Sequence, residues 1–346
     1  MQGKIAGIHV ESLATTVMRQ RIPVEERCVN LLPEKKIKRL ANGTGFAAFS
    51  IAPDGVCASD FCVHAAKKLM EVGALHPEDI GAVIFVTQTP DYTIPATSHI
   101  IQDRLGLPKT LLAFDVNQSC AGFVYGIYIA ASLLSNLGKK VLLCFGDTTS
   151  RKAFPGELTF MSIIGDGGGV AVVEKRKSSS ECLYSFHTYG ERYQAIIEVR
   201  GGERKKKNYG IDGLMVQEKE NYSKMDGMGV MDFTLNEVPD DINSLFRFAN
   251  ITRDDVEIAL FHQANRMIVE NLAVKLGLPI ERVPFRCGMI GNTDMASIPV
   301  CITELKRLGE WKPYHKVLLS GFGAGLAVAS MLIDFSDMMV METSYL

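Results

Sequence analysis

The chain has 346 residues, 47% of them hydrophobic, which suffices to bury the core of one large domain or of two fused halves. Its 37 basic and 39 acidic side chains give a net charge of −2. This balance argues against a nucleic-acid-binding surface, because phosphate binding needs a concentrated positive field.

Strand-like and helix-like segments alternate along the chain. Continuous apolar runs are typical of strands buried on both faces, and they lie at residues 82–86, 111–114, 141–145 and 170–173. Longer runs with a helical pattern, several of them closed by glycine, lie at residues 61–72, 98–105, 121–137, 266–276 and 296–308. The alternation predicts an α/β fold in which helices cover the sheets.

The chain also contains a weak internal repeat. Residues 79–85 have a counterpart at 255–261, and Val-Leu-Leu at 141–143 recurs at 317–319 with the same spacing. Between these markers, Leu-Gly-Leu-Pro at 105–108 returns at 276–279. Three matches in the same order indicate a duplication. We therefore divide the chain into a first half (1–174), a more polar connecting region (175–227) and a second half (228–346).

One segment raises the alternative of a membrane span. Residues 116–138 carry no formal charge and are nearly long enough to cross a bilayer. The segment also contains amide and hydroxyl side chains and glycines, which are costly to place in lipid. A helix buried on all sides in a large core explains it better, and we expect no membrane association.

The cysteines and the charged runs suggest an ordinary intracellular protein. Eight cysteines occur without metal-ligand spacing, so no zinc site is expected, and the thiols are interpreted as reduced. The N-terminus lacks the features of a signal peptide, and we expect a cytoplasmic location. The basic run at 204–207 is interpreted as a solvated loop or, less favoured, as a docking patch for an acidic partner.

Cys120 is the first candidate for chemistry. It lies where a strand-like run gives way to an uncharged helix. The N-terminus of a helix carries a partial positive charge, which favours the thiolate form of a cysteine in its first turn. We predict that Cys120 is a nucleophile that forms a covalent intermediate.

Two polar positions in apolar surroundings complete the candidate site. His262 closes a buried run, where a histidine is more often a satisfied core residue, and Asn292 lies in a glycine-containing turn, where a helix cap is the simpler interpretation. The duplication changes this assessment, because Cys120 and Asn292 occupy comparable loops of the two halves. Loops at strand ends of α/β sheets are where active sites usually form.

Two glycine-rich segments are candidates for binding roles. Residues 165–169 resemble a phosphate-binding loop only loosely, and a dinucleotide site is not favoured. Residues 321–325 follow a strand and form a tight turn on local grounds alone.

The joint pattern resembles the thiolase superfamily, and within it the β-ketoacyl-acyl-carrier-protein synthase III family. The resemblance covers nearly all of residues 4–335 and is most specific at Cys-Ala-Gly-Phe (120–123), His-Gln-Ala-Asn (262–265) and Gly-Asn-Thr (291–293), with Gly-Phe-Gly-Ala-Gly at 321–325. It implies a thiolase-like fold, with two pseudo-symmetric halves in a five-layered αβαβα arrangement. It also implies a homodimer.

The resemblance also implies a reaction and roles for residues. Cys120 takes an acyl group, and a malonyl thioester loses CO₂ to form an enolate that His262 and Asn292 stabilise. Backbone N–H groups near Cys120 and in the loop of Gly323, Ala324 and Gly325 form a second oxyanion hole. No metal or redox cofactor is needed, since the substrates are thioesters of coenzyme A or of an acyl carrier protein.

The chain departs from the family pattern at three places. Arg39 and Gly43 stand where a tryptophan and an arginine usually clamp coenzyme A, so the acyl donor is expected on a carrier protein or gripped differently. The acyl pocket is assigned to Phe123 and to Ile94, which replaces a phenylalanine that crosses the dimer interface. Arg266, a carrier-docking candidate, follows the His-Gln-Ala-Asn block directly instead of after one residue. These departures favour a specialised synthase of a secondary-metabolite or surface-glycolipid pathway.

Three other functions remain open from the sequence. A same-fold acyltransferase would join the acyl group to an alcohol or amine, and a non-catalytic subunit would control chain length without chemistry. A thiol hydrolase would release a free acid. Asn292 argues modestly against the acyltransferase, because an enolate-stabilising amide is less needed there. The presence of Cys120, His262 and Asn292 together argues against the non-catalytic subunit, and the hydrolase is left to experiment.

Overall fold

The computed structural model describes residues 1–177, 181–210, 213–216 and 218–346. Five of its helices follow the predicted positions closely, and four others, α1, α2, α6 and α7, were not predicted. In chain order the helices are α1 Val24–Cys28, α2 Glu34–Thr44, α3 Ala58–Glu71, α4 Thr97–Arg104, α5 Gly122–Leu137, α6 Leu158–Met161, α7 Gly227–Ala249, α8 Arg266–Leu276 and α9 Ser297–Arg307.

The strands include the four that the apolar runs predicted. In chain order they are β1 Gln2–Ile5, β2 Ile8–Val17, β3 Arg21–Pro23, β4 Ala48–Ser50, β5 Ile80–Val86, β6 Leu112–Val116, β7 Lys140–Asp147, β8 Gly167–Lys175, β9 Cys182–Thr188, β10 Ile196–Glu198, β11 Ser223–Met225, β12 Ile258–Phe261, β13 Val317–Gly323, β14 Ala327–Ile333, β15 Met339–Val340 and β16 Ser344–Tyr345.

Two large sheets share one topology. The first runs β15-β2-β8-β7-β5-β6, with β16 also paired to β2, and the second runs β1-β9-β14-β13-β12. In each, two antiparallel pairings (β2/β8 and β8/β7; β9/β14 and β14/β13) are followed by a parallel one (β7/β5; β13/β12). The matching order and direction support the duplication inferred from the repeat.

Five layers follow from the helix contacts. Helix α5 packs against β5, β7 and β8 of the first sheet and against β13 and β14 of the second, and α9 contacts β2 and β12, so these two helices fill the space between the sheets. Helices α3 and α4 cover the outer face of the first sheet, and α7 covers that of the second with α8 beside it. This is the predicted αβαβα arrangement.

Burial between two sheets explains why α5 carries no charge. Its glycines allow close approach, since a Cβ on Gly126 would lie 2.7 Å from a methyl carbon of Leu143. Among the described residues, no helix is long and apolar enough to cross a membrane.

The sheet memberships differ from the divisions drawn on the sequence. Strand β1, from the predicted first half, pairs with β9, from the predicted connecting region, in the second sheet. Strands β15 and β16, near the C-terminus, return to the first sheet beside β2. Each sheet thus takes strands from both ends of the chain, because edge pairing depends on tertiary proximity and leaves little mark on local composition.

The glycine-rich segment 165–169 is structural. Its last three glycines begin β8, where a Cβ on Gly169 would lie 2.3 Å from the carbonyl oxygen of Ala14. These glycines let β8 pack tightly against β2, and the dinucleotide role stays disfavoured.

Candidate active site

Cys120 lies at the junction of β6 and α5, as predicted. A tight turn, in which the Gly122 amide donates to the Ser119 carbonyl at 2.6 Å, places the thiol just before the first helical residue. Strand β13 runs directly behind it, and a Cβ on Gly323 would lie 2.9 Å from Cys120 Sγ. Glycine is therefore required at 323 for the cysteine to fit.

His262 lies at the end of β12, and α9 orients its ring. Ser297 Oγ lies 2.7 Å from His262 Nδ1 and accepts the backbone N–H of Gln263 at 3.2 Å. The serine hydroxyl accepts from Gln263 and has its own hydrogen free to donate to Nδ1. With Nδ1 as the acceptor, the imidazole proton is on Nε2, the tautomer that suits a donor to substrate.

The protonation state of His262 follows from its surroundings. The side chain is fully enclosed, and burial lowers the pKa of His262 to about 4, although the charge and the backbone carbonyl of Asp294 act in the opposite direction. At neutral pH the ring is uncharged and donates from Nε2.

Asn292 completes a pair of donors with His262. Its Oδ1 accepts the backbone N–H of Asp294 at 2.9 Å, which leaves Nδ2 as the outward end of the amide. Nδ2 lies 3.4 Å from His262 Nε2, so two N–H groups converge on one side of the site. Neutral donors in such an arrangement can stabilise an enolate or another oxyanion.

The protonation state predicted for Cys120 is wrong for this structure. Burial, followed by the Asp294 carboxylate, raises the pKa of Cys120 well above its usual value, even though Ser119 Oγ, 3.4 Å away, acts in the opposite direction. Cys120 Sγ donates to Asp294 Oδ1 at 3.0 Å. Desolvation and a neighbouring negative charge outweigh the helix terminus, and the resting group is a thiol.

The three predicted residues meet at one cavity of about 420 Å³. Cys120, His262 and Asn292 all line it, together with Asp294, Gly323 and Ala324. The opposite wall is largely apolar and comes from β10, β11 and the start of α7, with Ile196, Ile197, Met225, Val230 and Met231. The convergence predicted from the sequence is therefore present, and the connecting region supplies part of the wall.

Charged side chains stand at one edge of this cavity. Lys152 and Glu198 line it and form an ion pair of 2.9 Å, and Lys207 pairs with the other oxygen of Glu198 at 2.8 Å. In the rest of the basic run, Lys205 pairs with Glu220 and Lys206 with Glu203. Local pairing of three of its four side chains favours the interpretation as a structured surface loop.

The remaining predicted residues lie in different settings. Gly325, with φ +143°, follows the lining residue Ala324. Phe123 does not line the cavity and is buried behind it, with its ring 5.2 Å from that of Phe145. In place of Phe123, the apolar residues of β10 and β11 form the cavity wall.

Ile94 is 84% exposed and is also not on the wall of this single chain. Arg266 is exposed at the start of α8, beside the lining residue Asn265.

Sequence reasoning missed three side chains that contact the predicted ones. These are Ser297, which orients His262, Asp294, which contacts Cys120, and Thr149, whose hydroxyl donates to Asp294 Oδ2 at 2.6 Å. Asp294 was visible as a charged residue two places after Asn292 in an apolar segment. Thr149 gave no signal, because it lies in the turn after β7 and only the tertiary fold brings that turn next to Asp294.

Comparison with known proteins places these residues within one protein family. The family model for 3-oxoacyl-[acyl-carrier-protein] synthase III matches residues 114–190, and the model for the C-terminal part of the same family matches residues 246–335. The first match contains Cys120 and the second contains His262 and Asn292.

Curated relatives and solved structures extend the similarity over most of the chain. A chloroplastic β-ketoacyl-[acyl-carrier-protein] synthase III of Arabidopsis thaliana is 34% identical over 78% of this chain and 69% of its own length. The synthase III of Rhizobium meliloti is 32% identical over 84% of this chain and 88% of its own. The crystal structure of a 3-oxoacyl-(acyl-carrier protein) synthase from Burkholderia xenovorans superposes with a TM-score of 0.92 at 29% identity, covering 100% of this chain and 99% of the other. The chain belongs to the β-ketoacyl-[acyl-carrier-protein] synthase III family.

Proposed function

We propose that this protein is a condensing enzyme that joins an acyl group held on Cys120 to a malonyl thioester by decarboxylative Claisen condensation. The product is a β-ketoacyl thioester. The observation that carries the proposal is the pairing of a buried thiol with two neutral donors, His262 Nε2 and Asn292 Nδ2, 3.4 Å apart on the wall of the same cavity. Family membership supports the same reaction.

The first half-reaction is acyl transfer. Cys120 Sγ attacks the carbonyl carbon of the donor thioester, and the donor thiol leaves as the acyl-cysteine forms. Strand β13 brings Gly323 against Sγ and Ala324 onto the cavity wall, so backbone N–H groups of this loop are candidates to stabilise the tetrahedral intermediate.

The second half-reaction is decarboxylation and carbon–carbon bond formation. Loss of CO₂ from the malonyl thioester leaves negative charge on its thioester oxygen, where the N–H groups of His262 and Asn292 both donate. Removing one such donor typically costs about 3–4 kcal/mol of transition-state stabilisation. A charged imidazolium is not required, which agrees with the pKa of about 4 for His262.

The donor pair also argues against the alternative functions. An acyltransferase that makes esters or amides, or a thiol hydrolase, forms no enolate. Neither reaction has a use for two neutral donors directed at an enolate oxygen. With its proton on Nε2, His262 is also poorly suited to act as the base that would activate an alcohol, amine or water.

The acyl donor is proposed to ride on an acyl carrier protein. Helix α2 carries Lys35, Lys36 and Arg39 and packs against α8, whose first residue is Arg266. Arg266 follows the cavity-lining residue Asn265, and these exposed cations on neighbouring helices would attract an acidic carrier. Arg266→Glu should raise KM for carrier-bound substrates and leave KM for the corresponding pantetheine thioesters unchanged.

A homodimer in the cytoplasm remains part of the proposal. Tyr92 and Ile94 are 62% and 84% exposed on a loop after β5, which is consistent with a surface that a second copy covers. Light scattering of the wild type and of Ile94→Asp tests this, and a monomeric wild type would contradict it.

In this scheme the thioester substrates supply all the reacting groups, and no metal or redox cofactor takes part.

The reaction is tested with purified protein, a panel of acyl thioesters and malonyl-carrier. Mass spectrometry should detect a β-ketoacyl product with wild type and none with Cys120→Ala. Cys57→Ser is the matched control, because the other seven cysteines are buried and Cys57 is partly exposed. A plain ester, an amide or a free acid as the sole product would contradict the proposal.

A further inference from the structure

Asp294 connects the thiol to the oxyanion-stabilising pair. Its Oδ1 accepts from Cys120 Sγ at 3.0 Å, its Oδ2 accepts from Thr149 Oγ1 at 2.6 Å, and its backbone N–H donates to Asn292 Oδ1 at 2.9 Å. The side chain is only 5% exposed and lines the cavity. The two side-chain bonds orient the carboxylate toward sulfur, and the backbone bond ties residue 294 to Asn292.

The backbone at Asp294 is held in an uncommon conformation. Its φ is +52°, in the left-handed region, and it is one of two non-glycine residues with positive φ among those described. Such conformations cost free energy and concentrate at functional sites. Here the conformation places the carboxylate against the nucleophile.

A carboxylate at this position opposes the thiolate form that a cysteine nucleophile needs, so its placement calls for a role in the reaction. A buried negative charge next to a thiol opposes ionisation, and burial with Asp294 raises the pKa of Cys120 well above its usual value. A free thiolate would therefore be scarce at neutral pH. A thiol that is hydrogen-bonded to a carboxylate can instead lose its proton during the attack itself.

We propose that Asp294 is a catalytic residue, the proton acceptor that takes the hydrogen of the Cys120 thiol as sulfur attacks the acyl donor, with Thr149 as the residue that positions its carboxylate. The inference deepens the proposed function and rests on it. The family resemblance implies no role for position 294, and the contacts of Asp294 carry the inference.

The proton balance of the cycle is simple. As the bond from Sγ to the acyl carbon forms, the S–H bond breaks and an O–H bond forms on Asp294 Oδ1. The carbon–sulfur bond of the donor then breaks, and its thiolate takes that proton and leaves as a thiol. After condensation, the carbon–sulfur bond to Cys120 breaks, and the Cys120 thiolate takes up one solvent proton through Asp294, which is the proton that the overall reaction consumes.

Other ionisable groups face this carboxylate from neighbouring elements. Asp147, at the end of β7, is buried, and burial, then the charge of Asp294, raises the pKa of Asp147 to about 7. Its Oδ1 accepts from Thr87 and Thr89, and its Oδ2 has no hydrogen-bond partner. Lys152 and His262 are the nearby basic groups, and His262 is neutral above about pH 4.

Two roles for Asp294 predict opposite outcomes for Asp294→Asn. If the carboxylate only suppresses the thiolate, its removal lowers the pKa of Cys120 and acylation becomes faster. If it accepts the proton, acylation becomes slower even though the thiol is more acidic. Asparagine tolerates positive φ, so the backbone should be retained.

The test measures acylation of Cys120 by p-nitrophenyl butyrate, with release of p-nitrophenolate followed by stopped flow and the labelled peptide identified by mass spectrometry. This probe needs no carrier, and its leaving group needs no proton, so it isolates proton removal from sulfur. At about pH 7.5 we expect Asp294→Asn to lower the rate constant roughly 10²- to 10⁴-fold, the range typical of general base catalysis. The rate of the variant should then rise with pH as thiolate forms.

Controls separate this role from a loss of fold. Asp103→Asn, on an exposed helical position, should match wild type, and Thr149→Val should slow acylation about tenfold. The wild type and Thr149→Val should show a slower rate in D₂O, because a proton is then in flight. Should Asp294→Asn not fold, the pH profile and the D₂O effect of Thr149→Val decide, and a wild-type-like rate and profile there overturn the proposal.

The outcomes distinguish this inference from the proposed function. If wild type and Asp294→Asn are acylated at equal rates, or the variant faster, while both make the β-ketoacyl product, the inference fails and the condensation stands. If wild type is acylated but makes no β-ketoacyl product, the proposed function fails, and a slow Asp294→Asn still supports proton acceptance. No labelling of Cys120 in wild type would overturn both.

Discussion

Ser297→Ala should slow condensation without slowing acyl transfer. Ser297 Oγ lies 2.7 Å from His262 Nδ1 and is the group that directs the imidazole proton to Nε2. Alanine keeps the start of helix α9 and removes only the hydroxyl. Nδ1 then loses its donor in a site where His262 is 2% exposed and little water is available to replace it.

The magnitude follows from the single bond that is removed. A buried polar atom left without its partner costs about 1–3 kcal/mol. The ring can respond by moving its proton to Nδ1, and Nε2 then no longer donates to the enolate. The lost free energy therefore slows condensation, by roughly 5- to 150-fold. The rate of Cys120 acylation should change by less than about twofold, because the proton of the thiol goes to Asp294 and not to His262.

Two assays separate the steps. Single-turnover acylation of Cys120 by a labelled acyl thioester reports the first, and CO₂ release from malonyl-carrier by the pre-acylated enzyme reports the second. Equal slowing of both steps would refute the tautomer argument, since it would indicate a general disturbance of the site. An unchanged rate of CO₂ release would refute it as well. His262→Ala should slow CO₂ release at least as much as Ser297→Ala.

Three further predictions follow from the same geometry. Gly323→Ala should abolish acylation, because its Cβ would lie 2.9 Å from Cys120 Sγ. Gly43→Ala is the control: its Cβ meets nothing within 4 Å, so acylation should stay intact and the melting temperature should be equal or higher. Met231→Trp should shorten the longest acyl chain that is accepted, as measured by product chain length, because Met231 lines the apolar wall; unchanged chain lengths would place the chain elsewhere. His262 has a pKa of about 4 when folded and about 6.5 when unfolded, so the unfolded state binds the extra proton, and stability is full above pH 6.5 and falls as pH drops toward 4. His262 contributes about 3 kcal/mol to the free energy of unfolding in this way. Denaturant unfolding of His262→Gln should therefore show a weaker loss of stability than wild type between about pH 7 and 4.5.

Much of the fold was accessible from the sequence because periodicity and apolar runs reflect burial directly. The uncharged helix α5 and the apolar strands β5, β7 and β8 lie in a core that excludes water on both sides, and the repeat reflects the duplication of the two sheets. Sheet edges were not accessible, because β1, β15 and β16 are short strands whose partners lie far away in the chain.

The same division holds for the active site. Local sequence was sufficient to single out Cys120, at the end of an apolar strand and the start of an uncharged helix. His262 and Asn292 each have a simpler structural explanation on local evidence, and they became candidates through the combined pattern and the family resemblance. The hydrogen-bond partners of the site residues were decided only by packing. Ser297 is remote in sequence from His262, and Thr149 is remote in sequence from Asp294. Burial and Asp294 reversed the protonation state expected for the thiol, because desolvation and charge act through space, and no pattern of neighbouring residues records them.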